Sequence, residues 1–320
     1  MRAFKCGTIG LTVLLVLIGF VSFASAGTIR HDRDDDLYLG LGADFTSVGR
    51  VDFKIASDRY MGSGVLIDSN WVLTAGHVVD KAKSLKFTIG GVTYRAASWQ
   101  AHPEWNEDLL AGYDIGLINL RKPVESVDPA VRYWGSDELY AEATIVGYGM
   151  TGTGLSGATT FDGEKRGGQN VIDELYGDMS LFLCDFDNPD PLASDNVFGS
   201  PEPLGLEFLI APGDSGGGLF LDVGDNTMQL AGVNSFIGWF DEAGDSDYGD
   251  ISGHTRVSAF NGWIDEVIAG GGGNGNGNGG GKPPWAGGPG GPKKGSTVIP
   301  EPASLSLLAF GALLLLRRRR

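Results

Sequence analysis

Cysteine, histidine and long apolar runs are all scarce in this chain. There are two cysteines in 320 residues, Cys6 and Cys184. Cys6 falls in a segment with the pattern of a secretory leader: Arg2 and Lys5, the apolar run Leu11 to Phe20, then Ala24-Ser25-Ala26 before Gly27. Its removal leaves Cys184 alone, which excludes an intramolecular disulfide and makes a buried apolar role the expectation for that thiol. The body must then rely on its core, and roughly 240 residues are enough to build one. Basic residues are also short. The leader, the segment 270–302 and the terminal arginines are all net positive, so the formal charge of −16 becomes −24 on residues 27–269. Such a body argues against nucleic acid or an anionic membrane surface as a partner.

The C-terminal end is unlike the rest. Gly270 to Gly281 reads GGGGNGNGNGGG and continues into KPPWAGGPGGPKKGST. Nothing there can build a core, so 270–297 is expected to be a flexible linker. Residues 298–320 hold Pro300-Glu301-Pro302, an apolar stretch from Ala303 to Leu316 and four arginines. As a helix the apolar stretch rises about 21 Å, against a hydrocarbon core of about 30 Å. This order of features resembles the bacterial PEP-CTERM sorting signal. The resemblance implies recognition by an exosortase-type enzyme, a transient inner-membrane anchor through a transmembrane helix, and an exported protein of the cell envelope or exterior. Signal peptidase is the partner implied at the other end.

Between these ends, short apolar or alternating runs recur between Gly, Asn and Asp turns: GSGVLIDSNWVLTAGHVV, SLKFTIGGVTYRAASW, DIGLINL, ATIVGYG, GLFLDVG and QLAGVNSFIGW. Many short strands predict an all-β sandwich or barrel pair over 27–269. One helical pattern closes the body: Ser258 to Ala269 places Phe260, Trp263, Ile264, Val267 and Ile268 on one face, with Ser258 as the candidate cap.

The candidate chemistry starts from Ser215 in APGDSGGGLF. A serine hydroxyl needs a base within reach, and the base needs an orienting carboxylate. Only four histidines are available. His31 lies in the charged RHDRDDD, His102 in a loop before proline and His254 near the final helix. His77 stands at the end of an apolar strand, NWVLTAGHVV, and is the best base. Asp114 opens the apolar run DIGLINL, where a buried carboxylate needs a partner; Asp108 competes from a polar loop.

VLTAGHVV, AHPEWNEDLLAGYDIGLINL, ATIVGYG, GDSGGG, LAGVNSF and SGHTRVSAFNGWI, in this order, resemble the chymotrypsin/trypsin family of serine peptidases over about residues 50 to 269. The chain order His, Asp, Ser also fits that family. The resemblance implies two six-stranded Greek-key β-barrels with the active site between them, plus a C-terminal helix. It implies a serine endopeptidase acting on polypeptides, with no cofactor. His77 is then general base and acid, Asp114 orients it, Ser215 is the nucleophile, and the N–H groups of Gly213 and Ser215 form the oxyanion hole. Asp214 organises the site by pairing with a new N-terminal ammonium.

The departures matter. No I-V-G-G segment exists, which leaves Gly27, Thr28 or Ile29 as candidate N-termini, or Arg30 as an internal cation for Asp214. Val78 and Ala211 mark places where relatives carry cysteines. Leu209 replaces the aspartate that selects Lys or Arg, Ile237 stands where glycine is common, and Ser235 and Ser252 are the other candidate pocket residues. This set predicts small or medium apolar P1 residues. Calcium is conceivable at Asp241, Glu242, Asp245, Asp247 and Asp250 through hard oxygen ligands, although no D-x-D-x-D-G loop is present and a solvated surface loop is the preferred reading. Two other functions compete: an inactive homologue serving as a surface binding module, and an HtrA-type quality-control protease, which would need a PDZ domain where only the linker follows.

Overall fold

The computed structural model describes residues 27–199, 201–240 and 243–270. The leader, the linker beyond Gly270 and the sorting segment lie outside the described residues, as do Asp241 and Glu242. The first half runs β1 (Gly27–Ile29), α1 (Asp35–Asp44), β2 (Val48–Ile55), β3 (Asp58–Asp68), β4 (Trp71–Thr74), α2 (Gly76–Val79), β5 (Ser84–Ile89), β6 (Val92–Ala101) and β7 (Gly116–Leu120). The second half follows with β8 (Glu142–Gly147), β9 (Thr151–Thr153), β10 (Gly157–Thr160), β11 (Arg166–Val171), β12 (Glu174–Tyr176) and β13 (Leu181–Asp185). It ends with β14 (Phe208–Leu209), β15 (Gly218–Asp222), β16 (Met228–Gly238), β17 (Ile251–Arg256) and α3 (Asn261–Ala269).

The expected pair of barrels is corrected to one. Strands β2-β3-β4-β7-β6-β5 close into an antiparallel barrel. The second half instead forms an open seven-stranded sheet, β11-β8-β15-β16-β17-β13-β12, and a four-stranded sheet, β10-β9-β1-β14. Side chains take the place of the missing ladder. Buried Asn170 on β11 sends its amide to the carbonyls of Asp185 (2.7 Å) and Phe208 (3.0 Å), so β11 is tied to β13 and β14 without pairing to β13. The amide thus satisfies two buried carbonyls on two other strands.

The fold is also not purely all-β. The charged N-terminal stretch forms α1, with Asp35 and Asp36 in its first turn, where the helix dipole favours acids. Tyr38 buries completely, and Asp35 pairs with Arg166 of β11, which is itself 1% exposed. At the other end α3 begins at Asn261, after a 3-10 turn over Val257–Ala259. Ser258 bonds Glu138 (3.0 Å) and does not cap the helix.

The barrel core is almost wholly apolar, with Val51, Val65, Leu66, Val72, Leu73, Phe87, Ile115 and Leu117 at 0% exposure. Cys184 lies buried in the core of the second half as a free thiol, and burial pushes its pKa up. No helix among the described residues is long and apolar enough to cross a membrane. This corrects the expectation of a transmembrane helix and of inner-membrane anchoring. The stretch 303–316 on which both rested lies outside the described residues.

Candidate active site

Strand β4 is buried along its whole length and delivers the chain into α2, a single turn that carries His77. Asp114 sits just before β7, and β4 pairs with β7 through Thr74 and Gly116. The two residues therefore meet at one end of the barrel. Gly76 makes the approach possible: a Cβ there would stand 3.1 Å from Asp114 Oδ1. The carboxylate is fully buried. Its Oδ1 accepts from the His77 backbone N–H (2.8 Å), and its Oδ2 lies 2.8 Å from His77 Nδ1. A carboxylate accepts only, so Nδ1 carries the proton and Nε2 keeps its lone pair.

Ser235 completes this network from the other half of the molecule. Its hydroxyl donates to Asp114 Oδ2 at 2.5 Å. Strand β16 shifts register against β17 between Asn234 and Phe236, so Ser235 is the extra residue of a bulge. A bulge re-aims a side chain, and here it aims the hydroxyl at the carboxylate. Thr255 Oγ1 adds a bond to the Asp114 carbonyl (2.9 Å). His77, Asp114 and Ser235 thus form the kind of hydrogen-bonded network that a catalytic triad uses, and it supports a serine-hydrolase mechanism. Burial of the His77 ring opposes its charged form. The adjacent Asp114 charge and hydrogen bond outweigh this and raise its pKa above 6.5.

The other histidines are placed differently. His102 is buried against Tyr113, Phe260 and Trp263, and burial lowers its pKa to about 4. His254 is buried between Asn234 and Ser252, with its pKa lowered to about 3. His31 bonds the Tyr248 hydroxyl.

Ser215 lies in a loop fixed to both halves. Its carbonyl accepts from Ser63 N–H of β3 (2.8 Å), and Gly216 N–H donates to the Asn234 carbonyl (2.8 Å). Ser63 also donates its hydroxyl to the Gly213 carbonyl (3.0 Å) and accepts from Tyr148 N–H. The loop is thereby pressed onto Thr74 and Ala75, just ahead of His77; a Cβ on Gly216 would stand 3.0 Å from Ala75 N. Ser63 was not singled out in the sequence, where GSGVLI reads only as an ordinary strand. Among the described residues the N–H groups of Gly213 and Ser215 donate to no protein acceptor.

Asp214 is fully buried. It accepts from the N–H groups of Gly149 (2.7 Å) and Ala211 (2.8 Å). Burial raises its pKa to about 7, held back by the backbone N–H groups of Ala211, Gly149 and Gly27. Arg30 is not its partner: that guanidinium grips Asp32 and the Leu204 carbonyl. Gly27 reaches Asp214 because β1 is inserted between β9 and β14. It has φ +61, and a Cβ there would strike the Phe208 ring at 1.8 Å, so only glycine fits.

Of the pocket candidates, Leu209 is buried with Phe186 and Tyr248, and Ile237 packs against this group. Ile237 pairs with Ser252 across β16 and β17, and Ser252 Oγ bonds His254 Nε2 at 2.9 Å. Asp245, Asp247 and Asp250 bring ligand oxygens within 4.8 Å of one another and so could hold a hard cation.

A family model for trypsin matches residues 46–264. The chain is 40% identical over 238 residues to human chymotrypsin-like elastase family member 1, covering 68% of this chain and 86% of that protein. It is 30% identical to the dog protein of the same name, covering 64% and 80%, and 30% identical to bovine proproteinase E, covering 64% and 83%. The solved structure of HL collagenase shares the fold at a TM-score of 0.54 and 23% identity, over 76% of this chain and 97% of that one. With the buried carboxylate, its histidine and the matched sequence in hand, the chain belongs to the trypsin family and is a serine endopeptidase.

Proposed function

We propose that the enzyme cleaves polypeptides on the carboxyl side of small or medium apolar residues, with Ser215 as nucleophile. The observation that carries the reading is the fully buried Asp114 carboxylate, which holds His77 through both its backbone and its ring. Nε2 takes the Ser215 proton as Oγ attacks the scissile carbonyl carbon. The N–H groups of Gly213 and Ser215 meet the developing oxyanion. Nε2 then returns the proton to the departing amine, and water, deprotonated by the same nitrogen, hydrolyses the acyl-enzyme. The Ser235 hydroxyl steadies the carboxylate rather than attacking, because it donates to Asp114.

The P1 preference rests on Leu209 and Ile237, whose apolar side chains pack with Phe186 and Tyr248 where a charged P1 would need a counter-ion. The relatives named as elastases point the same way. Asp214 is the site-organising group. Removal of a leader 1–26 by signal peptidase would turn the Gly27 N–H beside it into an ammonium. The further division, with the peptidase domain at 27–269, a linker at 270–297 and a PEP-CTERM-like segment at 298–320 processed by an exosortase-type enzyme, rests on the sequence patterns.

A peptide library profiled by mass spectrometry tests this. Cleavage after Ala, Val or Leu, lost in Ser215→Ala, supports the reading. Dominance of Arg or Lys at P1 refutes the specificity, and absence of cleavage by folded protein beginning at Gly27 favours the inactive-homologue alternative.

A further inference from the structure

The cations of this acidic protein are unevenly used. Arg30, Arg33, Arg50, Lys81, Arg132, Arg166 and Arg256 each pair with a carboxylate. Lys54, Arg59, Lys122 and Lys165 have no ion pair among the described residues, and neither do Lys83, Lys86, Arg95 and Arg121. The last four, all exposed, surround one cavity of about 330 Å³ on the barrel, with half-buried Trp99 in its wall. Lys86 and Arg95 are direct cross-strand partners on β5 and β6. Like charges placed opposite each other destabilise a sheet. The barrel closes through its apolar core and gains nothing from this arrangement, whereas an anion seated among the four would relieve it.

We propose that this cavity is an exosite for an acidic segment of the polypeptide substrate. The occupant is a peptide segment because polypeptide is what the enzyme turns over, and because the cavity has room for one or two side chains rather than for a folded surface. Trp99 supplies an apolar wall for the stems of those side chains. Strand β7 gives the distance. Gly116 pairs with Thr74 at the catalytic end, and Leu120 pairs with Ala96 beside the cavity. Four steps along a strand span about 13 Å. The acidic segment must therefore lie at least about four residues from the scissile bond, so short peptides cannot reach it.

The test compares a short chromogenic peptide with the same peptide extended by a Gly/Ser spacer and five glutamates. The proposal rests on the peptidase activity, which the short peptide reports on its own. Wild type is expected to show a KM for the extended peptide about fivefold to tenfold lower, with kcat unchanged. That gap should shrink as NaCl rises from about 0.05 to 0.5 M, because exposed charges are screened. In K86Q/R95Q the gap disappears, the short peptide is cleaved as before, and Tm holds or rises as the like-charge pair is removed. Equal KM values for the two peptides in wild type would overturn the proposal. So would equal loss of both activities in the variant, or a gap that dextran sulfate competes away while free hexaglutamate does not.

Discussion

The two halves of the molecule are stabilised by different chemistry. The barrel encloses Val, Leu, Ile and Phe side chains, with the Asp114 carboxylate as the one acid buried at its end. The second half buries Arg166, Glu138, Asp173, Asp185, Asp187, Glu207, Asp214 and His254. Some of these are paired, as Arg256 is with Glu138 at 2.6 Å. Others are carboxylates whose pKa burial drives upward, among them Asp173, Asp187 and Glu207. The barrel supplies the base and its carboxylate; the second half supplies the loop of Ser215, the hydroxyl of Ser235 and Asp214. An apolar frame thus fixes the groups that move protons. A polar one carries the loop of Ser215.

That contrast can be broken in several ways. The largest effect is expected where the halves meet: Asp114→Asn removes the acceptor that fixes the His77 tautomer, and kcat should fall by about 10⁴, measured on a short peptide. Next, Phe87→Ala in the barrel should cost about 3–5 kcal/mol through lost burial and a cavity. Denaturant unfolding at pH 5 and pH 8 should give the same loss, because no titrating group is involved. Ser235→Ala should lower kcat about tenfold and leave the fold intact, since Asp114 keeps both bonds from His77.

The smallest effect is a pH dependence specific to the second half. Asp187 keeps its proton up to about pH 7 in the folded protein but releases it near 3.8 when unfolded. The unfolded chain binds fewer protons across that window, so stability is lost as pH rises from about 4 to 7. His102 and His254, lowered to about 4 and 3, act with the opposite sign below 6.5. Asp187→Asn should therefore raise Tm relative to wild type by a few degrees more at pH 8 than at pH 4. Equal shifts at both values would remove the distinction between the halves.

The sequence exposes these halves unequally. TAGHVV, YDIGLINL and GDSGGG are contiguous motifs, and the strands at the first two are short apolar runs buried along almost their whole length. The second half depends on contacts between distant residues. Nothing local in Asn170 shows that its amide will tie β11 to two other strands. The run of aspartates before Leu37 shows nothing but charge, because its anchor, Arg166, lies 131 residues away. Gly27 is one of three candidate N-termini in the sequence, and nothing local shows that its strand lies between β9 and β14. Ser235 was a candidate pocket residue, and only the bulge after Asn234 turns it toward Asp114.

The most direct test of the site is a fluorophosphonate reaction on protein beginning at Gly27, with the adduct located by tandem mass spectrometry. The account predicts one adduct, on Ser215, abolished by Ser215→Ala and slowed strongly by Asp114→Asn. An adduct on Ser235, or labelling that survives Ser215→Ala, would contradict it.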